Sequence, residues 1–259
     1  MTEPAEQSCP DVAAGLALWA VAVEQGCAEP LLRDPAAAGW WAEVGHPQPA
    51  AGDAVATRVA VCVRASVVDG WVRAWIRREP DGVVVELGAG LGTRRLRLGL
   101  SAEQHLAVDL PAVVDVRRRL DARERSLRLD VTSPSAVLEI THALGGRPAC
   151  FVAEGLFPFL PPGSVCGLVR SLVTAHPGAM LCFDAYRPMA APLLRFHDAL
   201  PSPRGGLRPT PLRSLALNVI ERRHVGDTPA ARRRLPLRYR LLRLGWLHRI
   251  YRAELARPG

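Results

Sequence analysis

VVVELGAGLGTRRLRL, residues 83–98, decides how this chain is read. The branched apolar run predicts a buried strand, and Gly88, Gly90 and Gly92 predict a tight turn into a helix. Lacking a Cβ, these glycines admit strained backbone angles and let a ligand approach the main chain at a helix start. The dinucleotide fingerprint runs G-x-G-x-x-G. Here the spacing is G-x-G-x-G with Glu86 two residues ahead, a variant more typical of S-adenosylmethionine sites than of NAD sites.

Working outward, short apolar segments alternate with helical ones. Candidate strands are Val83 to Leu87, His105 to Asp109, Ser126 to Asp130, Cys150 to Glu154 and Ala179 to Asp184, with two more near Ala216 to Val225 and Ile250 to Ala256. Strands separated by helices imply right-handed crossovers and a mostly parallel, doubly wound α/β sheet. Asp109 ends the second strand at close to the ~20 residues past the glycines expected of the carboxylate that binds ribose hydroxyls. Asp130 ends the third strand and Glu154 the fourth. In an open parallel sheet ligands lie outside the carboxyl ends of the strands, so the three acids and the glycine loop face one crevice. The competing role for each acid is to cap the following helix. Ahead of the sheet, residues 12–78 read as helical. Val59, Cys62, Val63, Val67, Trp71, Trp75 and Ile76 trace an amphipathic helix that ends before Pro80.

Composition narrows the setting. A 49% hydrophobic content excludes a largely disordered chain. No apolar run reaches the ~20 residues of a membrane helix, and Glu3 and Glu6 stand where an export signal carries positive charge, so a cytoplasmic, membrane-free protein is expected. The six cysteines form no CxxC pair or zinc spacing, which predicts buried thiols and no metal site. The net charge is +8, and every basic side chain is arginine. Many arginines fall late, between Arg222 and Arg252, a patch open to two readings: a field that attracts nucleic acid or an acidic substrate, or a solvated face.

These residues resemble the leucine carboxyl methyltransferase family, particularly its bacterial polyketide O-methyltransferase branch. The likeness rests on Arg64 in VCVRASVVDGWV, on ELGAGLGTRRLRL, on AVDLPAVVDVRRRL, on Arg125 and Asp130 in ERSLRLDV, and on VAEGLFPFLPP. It implies a Rossmann-like class I methyltransferase, with a seven-stranded sheet ending in an antiparallel strand. It also implies a helical N-terminal cap over residues 1–80, and a catalytic domain over 81–259 that uses S-adenosyl-L-methionine. By the same resemblance Arg64 pairs with the methionine carboxylate, Gly88, Ala89 and Gly90 line its main chain, Asp109 and Leu110 hold the ribose, and Asp130 and Val131 hold the adenine. Glu86, Glu154 and Gly155 complete the cofactor set. The chain departs from the family at Gly92, commonly Asp, and at Phe159 and Leu160, commonly Tyr-Leu. A family cap lysine has no lysine counterpart here, which leaves Arg33 or Arg58 as the expected second cation.

Methyl transfer is an in-line displacement that mainly requires positioning. The implied activity is O-methylation of a carboxylate, or of a phenol, on a small natural product or peptide-derived acceptor. A phenol, with pKa about 10, gains from a base. Among His46, His105, His176, His197 and His224, the best placed is His197, in a Pro- and Arg-rich insertion at 186–212 that suits a lid. Phe157, Phe159, Tyr186, Arg187 and Arg195 are the candidate acceptor contacts, and the Trp40 and Trp41 pair could frame an aromatic ring. A monomer or homodimer is expected. Two alternatives stand beside this reading. One is a methyltransferase fold repurposed for binding or other chemistry. The other is a nucleic-acid methyltransferase, disfavoured because EGLF replaces the Asn/Asp-Pro-Pro-aromatic tetrad.

Overall fold

A computed structural model describes residues 9–44, 54–186, 215–237, 240 and 248–257. Three helices come first, α1 (Cys9–Glu24), α2 (Pro35–Val44) and α3 (Ala54–Ile76). The sheet follows as β1 (Val83–Leu87), α4 (Arg94–Leu98), β2 (His105–Asp109), α5 (Pro111–Leu120), β3 (Ser126–Arg128), α6 (Ala136–Leu144), β4 (Ala149–Ala153), α7 (Pro162–Ala175), β5 (Met180–Tyr186), β6 (Leu217–His224), α8 (Pro229–Arg234) and β7 (His248–Leu255). The strand order is β3-β2-β1-β4-β5-β7-β6. β1 to β5 run parallel, whereas β7 pairs antiparallel with both β5 and β6.

β1 lies at the middle of the parallel half and every residue in it is buried, which is why its sequence is a continuous apolar run rather than an alternation. The pleat still sorts its side chains. Val83, Val85 and Leu87 join the core under α6 and α7, while Val84 faces the core built with Val59, Val63, Val72 and Trp75 of α3. Glu86 shares that second face, and His105, in register with Val84, does too. A third core of Leu18, Trp19, Trp40, Cys62 and Val113 joins α1, α2, α3 and α5.

The antiparallel strand matters for the site. It brings His248, the first residue of β7, into register with Tyr186, the last of β5, so the start of β7 lies at the same edge as the carboxyl ends of the parallel strands. Among the described residues no helix is long and apolar enough to cross a membrane.

Candidate functional site

After β1 the backbone turns through left-handed conformations at Gly88 (φ 64°) and Gly90 (φ 52°). The left-handed angle favours glycine at 88, where a Cβ would also stand 2.7 Å from Leu156 Cδ1 and make that side chain shift. Gly92 takes no such angle, so the turn itself does not require glycine at this departure from the family. The loop is tied to the end of β2, where the amides of Gly88 and Ala89 donate to the Val108 carbonyl at 2.9 and 3.2 Å. Asp109 Oδ2 accepts from Gly90 N and Oδ1 from Leu110 N, both at 2.7 Å. Burial raises the Asp109 pKa, and the two amide bonds only partly offset it. A carboxylate has about four lone-pair sites, so these bonds leave room for two further donors.

The loop carbonyls have their own support. Arg117 of α5 is fully buried, and its Nη1 donates to the carbonyls of Gly90 (2.7 Å) and Gly92 (2.9 Å). Its Nε donates to Glu124 at 2.7 Å, and its guanidinium lies 5.5 Å from the centre of the Trp40 ring. Trp40 is buried in this role, so the expectation that it frames an acceptor gives way to packing beneath the loop.

Beside the loop lies a chain of buried ion pairs. Arg64, projecting from α3, donates through Nε to Glu154 (3.0 Å) and through Nη1 to Asp184 (3.5 Å). Arg94, the first residue of α4, bonds Glu154, Glu86 and Asp69. Glu86 also meets His105 Nε2 at 2.9 Å. Burial by itself would raise the pKa of Glu86, but Arg94 and His105 outweigh it and hold the carboxyl well below its usual range. Arg94 thus shares Glu154 with Arg64, whereas Arg58 pairs with Glu24 at 3.3 Å. Glu86 spends its carboxylate on this network.

Not every predicted residue reaches the crevice. β3 ends at Arg128, so Asp130 lies beyond the strand, exposed, with Oδ1 accepting from the amide and hydroxyl of Thr132 at 2.8 and 2.7 Å. These bonds close a local turn and do not cap α6, whose N-cap is Ser135. Val131 is buried in the core. Phe157, expected against the acceptor, is fully buried with its ring centre 5.5 Å from that of Phe183, and it packs the interior instead. Phe159 is partly buried in the same short turn, and Gly155 adopts φ 67° against the Arg64 guanidinium. Glu154 follows β4, which ends at Ala153. His197, Arg187 and Arg195 lie outside the described residues. Tyr186 closes β5, and burial, with Asp184 adding to it, pushes its hydroxyl up to about 12.

Arg94, Arg117, Asp184 and His248, which no local motif marks as site residues, are all buried and all hydrogen-bonded. The signal for Arg94 and Arg117 was the density of arginine within apolar helices, since a buried arginine needs a partner. The late arginines are also less solvated than their sequence suggests. Arg234 pairs with Glu24, Arg252 bonds Glu221 at 3.0 Å across the ring of Trp71, and Arg249 is buried.

Strand order, glycine loop and the β2 acid together define a class I methyltransferase fold. The leucine carboxyl methyltransferase family model matches residues 13–173, and the chain belongs to that family, whose methyl donor is S-adenosylmethionine. A curated relative, the tetracenomycin polyketide synthesis O-methyltransferase TcmP of Streptomyces glaucescens, is 28% identical over 141 residues. That match spans 54% of this chain and 52% of the relative, so the chain spans about half the length of the curated relative it matches. Two solved structures share the fold. A SAM-dependent methyltransferase from Anabaena variabilis aligns with TM-score 0.55 at 15% identity, covering 92% of this chain and 95% of its own. Magnesium protoporphyrin IX methyltransferase from Synechocystis aligns with TM-score 0.50 at 12% identity, covering 86% and 95%.

Proposed function

We propose that the protein is an S-adenosylmethionine-dependent O-methyltransferase acting on a carboxylate or phenol of a small natural product or peptide-derived acceptor. The observation that carries this reading is the convergence of the glycine loop, Asp109, Arg64 and Glu154 at the carboxyl ends of β1, β2 and β4. The TcmP likeness supports oxygen as the acceptor atom.

The residues suit the cofactor. Asp109 keeps lone pairs for ribose hydroxyls, and the left-handed glycines keep side chains off the path of its methionine part. Arg64 has more donors than its two acids consume, and a planar guanidinium matches a carboxylate. Glu154 beside it suits an ammonium, so the pair complements the zwitterionic end of the cofactor. Asp130, exposed two residues beyond β3, has only Oδ1 engaged, by Thr132, and in this reading its other oxygen accepts from the adenine amine. When bound, the sulfonium supplies an electrophilic methyl group. The protein's part is to orient the acceptor oxygen in line and to keep water out. The helices α1 to α3 then act as a cap over the crevice; the expected lid, past Tyr186, lies outside the described residues.

Calorimetry with S-adenosylmethionine and with S-adenosylhomocysteine tests the cofactor assignment; absence of binding by both would refute it. Incubation with candidate acids and phenols, read by mass spectrometry for the gain of one CH₂, tests the activity.

A further inference from the structure

The loop after α1, the middle of α3 and the short helix α8 enclose a cavity of about 330 Å³, at the lower end of the range for small-molecule sites. None of the residues that line it belongs to the cofactor set. We propose that it is a ligand site separate from the cofactor crevice, taking a carboxylate carried on a short aliphatic body, with Arg233 as the group that holds the charge.

Strand register puts α8 in place. His224, the last residue of β6, pairs with Arg249 of β7, one residue on from the pairing of His248 with Tyr186, so β6 ends at the carboxyl edge of the parallel strands. A short turn, Val225–Asp227, then sets α8 against α3, with Val225 and Ala231 packed into the core of Val59, Val63 and Trp71. The facing wall is fixed as well. Glu24, the last residue of α1, is fully buried, and its Oε1 accepts from the Leu31 amide at 2.7 Å, while Gln25 Nε2 donates to the Leu32 carbonyl at 3.0 Å. Both walls are built without a ligand, which lowers the ordering cost of binding one. α3 stands between the cavity and the crevice: Arg64 reaches Glu154 and Asp184, whereas Val63, Ser66 and Val67 line the cavity.

The lining combines hydrocarbon with unbalanced charge. Leu31 and Val67 are aliphatic yet only partly buried, and with Val63, Pro30 and Ala230 they offer apolar surface that a short chain would cover. Arg234 is already engaged. It pairs with Glu24 and donates to the Glu29 carbonyl, and Arg58 stands 3.3 Å from the same Glu24 carboxylate. Arg233 is exposed, and its side chain has no ion pair or hydrogen bond among the described residues. Three guanidiniums, those of Arg58, Arg233 and Arg234, thus face two carboxylates, those of Glu24 and Glu29, and one positive charge is left over. A planar guanidinium matches a carboxylate bidentately, which an amide or an ammonium does not reproduce. Thr228 Oγ1 accepts from the Ala231 amide at 3.3 Å and keeps its hydroxyl proton for the same anion, and Ser66 supplies a second hydroxyl.

Hexanoate, hexanamide and hexylammonium test this as probes that share a chain and differ in charge. Methyl NMR of isotope-labelled leucine and valine reads the cavity, and calorimetry with S-adenosylhomocysteine on the same samples reads the crevice. The expected result is saturable shifts at Leu31, Val63 and Val67 with hexanoate, about tenfold tighter than with hexanamide and weakest with hexylammonium. Arg233→Gln should bring hexanoate down to the amide level. Ala230→Trp, which fills the cavity, should abolish binding of all three, and both variants should hold S-adenosylhomocysteine within about twofold of wild type, a change well below the tenfold step of a lost contact. Hexanoate bound no tighter than hexanamide, shifts confined to other residues, or an unchanged hexanoate affinity in Arg233→Gln overturns the proposal. With S-adenosylmethionine present, hexanoate should stay unmethylated; methyl hexanoate made by wild type and not by Ala230→Trp would merge the cavity with the acceptor site and overturn its separateness. The NMR readouts need no cofactor, so a protein that fails to bind S-adenosylhomocysteine loses the methyltransferase reading and keeps this one.

Discussion

Replacing Arg117 by leucine removes the guanidinium that supports the glycine loop from beneath. Arg117 and Glu124 are both buried, 0% and 8% exposed, so the single change strands the Glu124 carboxylate in the interior close to His105. Breaking a buried pair by deleting one partner costs about 3–5 kcal/mol. In a chain of this size each kcal/mol lowers Tm by about 2–4 °C, so the expected drop is roughly 6–20 °C. Three loop carbonyls, those of Ala89, Gly90 and Gly92, lose their shared donor at the same time. The double variant Arg117→Leu with Glu124→Leu separates the two effects. With both charges gone, stability should recover by most of the loss, because a hydrophobic pair of similar volume replaces an ion pair at little cost. The loop carbonyls remain unsupported, so S-adenosylhomocysteine affinity should stay at least about tenfold weaker, equivalent to about 1.4 kcal/mol. Thermal scans and calorimetry on the three proteins decide it. A single variant as stable as wild type, or a double variant that binds like wild type, would refute the reasoning.

Other perturbations address separate parts of the site. Asp109→Ala should weaken cofactor binding by about 1–3 kcal/mol, the cost of losing one charged hydrogen-bond partner; unchanged affinity contradicts the ribose assignment. Phe157→Ala should cost about 3–5 kcal/mol of stability through a core cavity, and a shift in acceptor preference without that loss would return Phe157 to the crevice. In acid, Glu86, Asp69 and Asp184 have pKa values depressed by folding, because their arginine and histidine partners outweigh the burial that opposes them. Such groups bind more protons unfolded than folded, so their stabilisation is present above the unfolded value of about 4 and is lost as pH falls below it. Asp109, shifted upward, opposes the trend, since its ionisation between about pH 4 and its folded value costs stability. Three depressed acids against one raised predict a net fall in Tm from about pH 5 downward, and a flat profile to pH 3 would disprove it.

Much of this was legible locally. β1 and β2 fall on the residues their patterns predict, because a buried strand bounded by glycines or by an acid is encoded within a few neighbouring positions. β3 stops two residues short of its predicted end, since Asp130 turns its side chain onto Thr132 instead of extending the ladder. The charged residues were hidden differently. Arg64 reads as a helix charge until its partners, 90 and 120 residues away in sequence, are brought to it by adjacent strand ends. His248 carries no motif at all. Its meaning comes from the register of an antiparallel strand that sets it beside Asp184, 64 residues earlier.

The sequence by itself determined the α/β fold, the glycine turn and the acid at the end of β2, because strand periodicity, left-handed backbone angles and strand-to-loop spacing are short-range properties. Only the tertiary structure decided which buried arginine answers which acid, which acids stand free for a ligand, and which arginine faces a cavity. A charge taken out of water must find its partner wherever strand order places one, and no local pattern records that order.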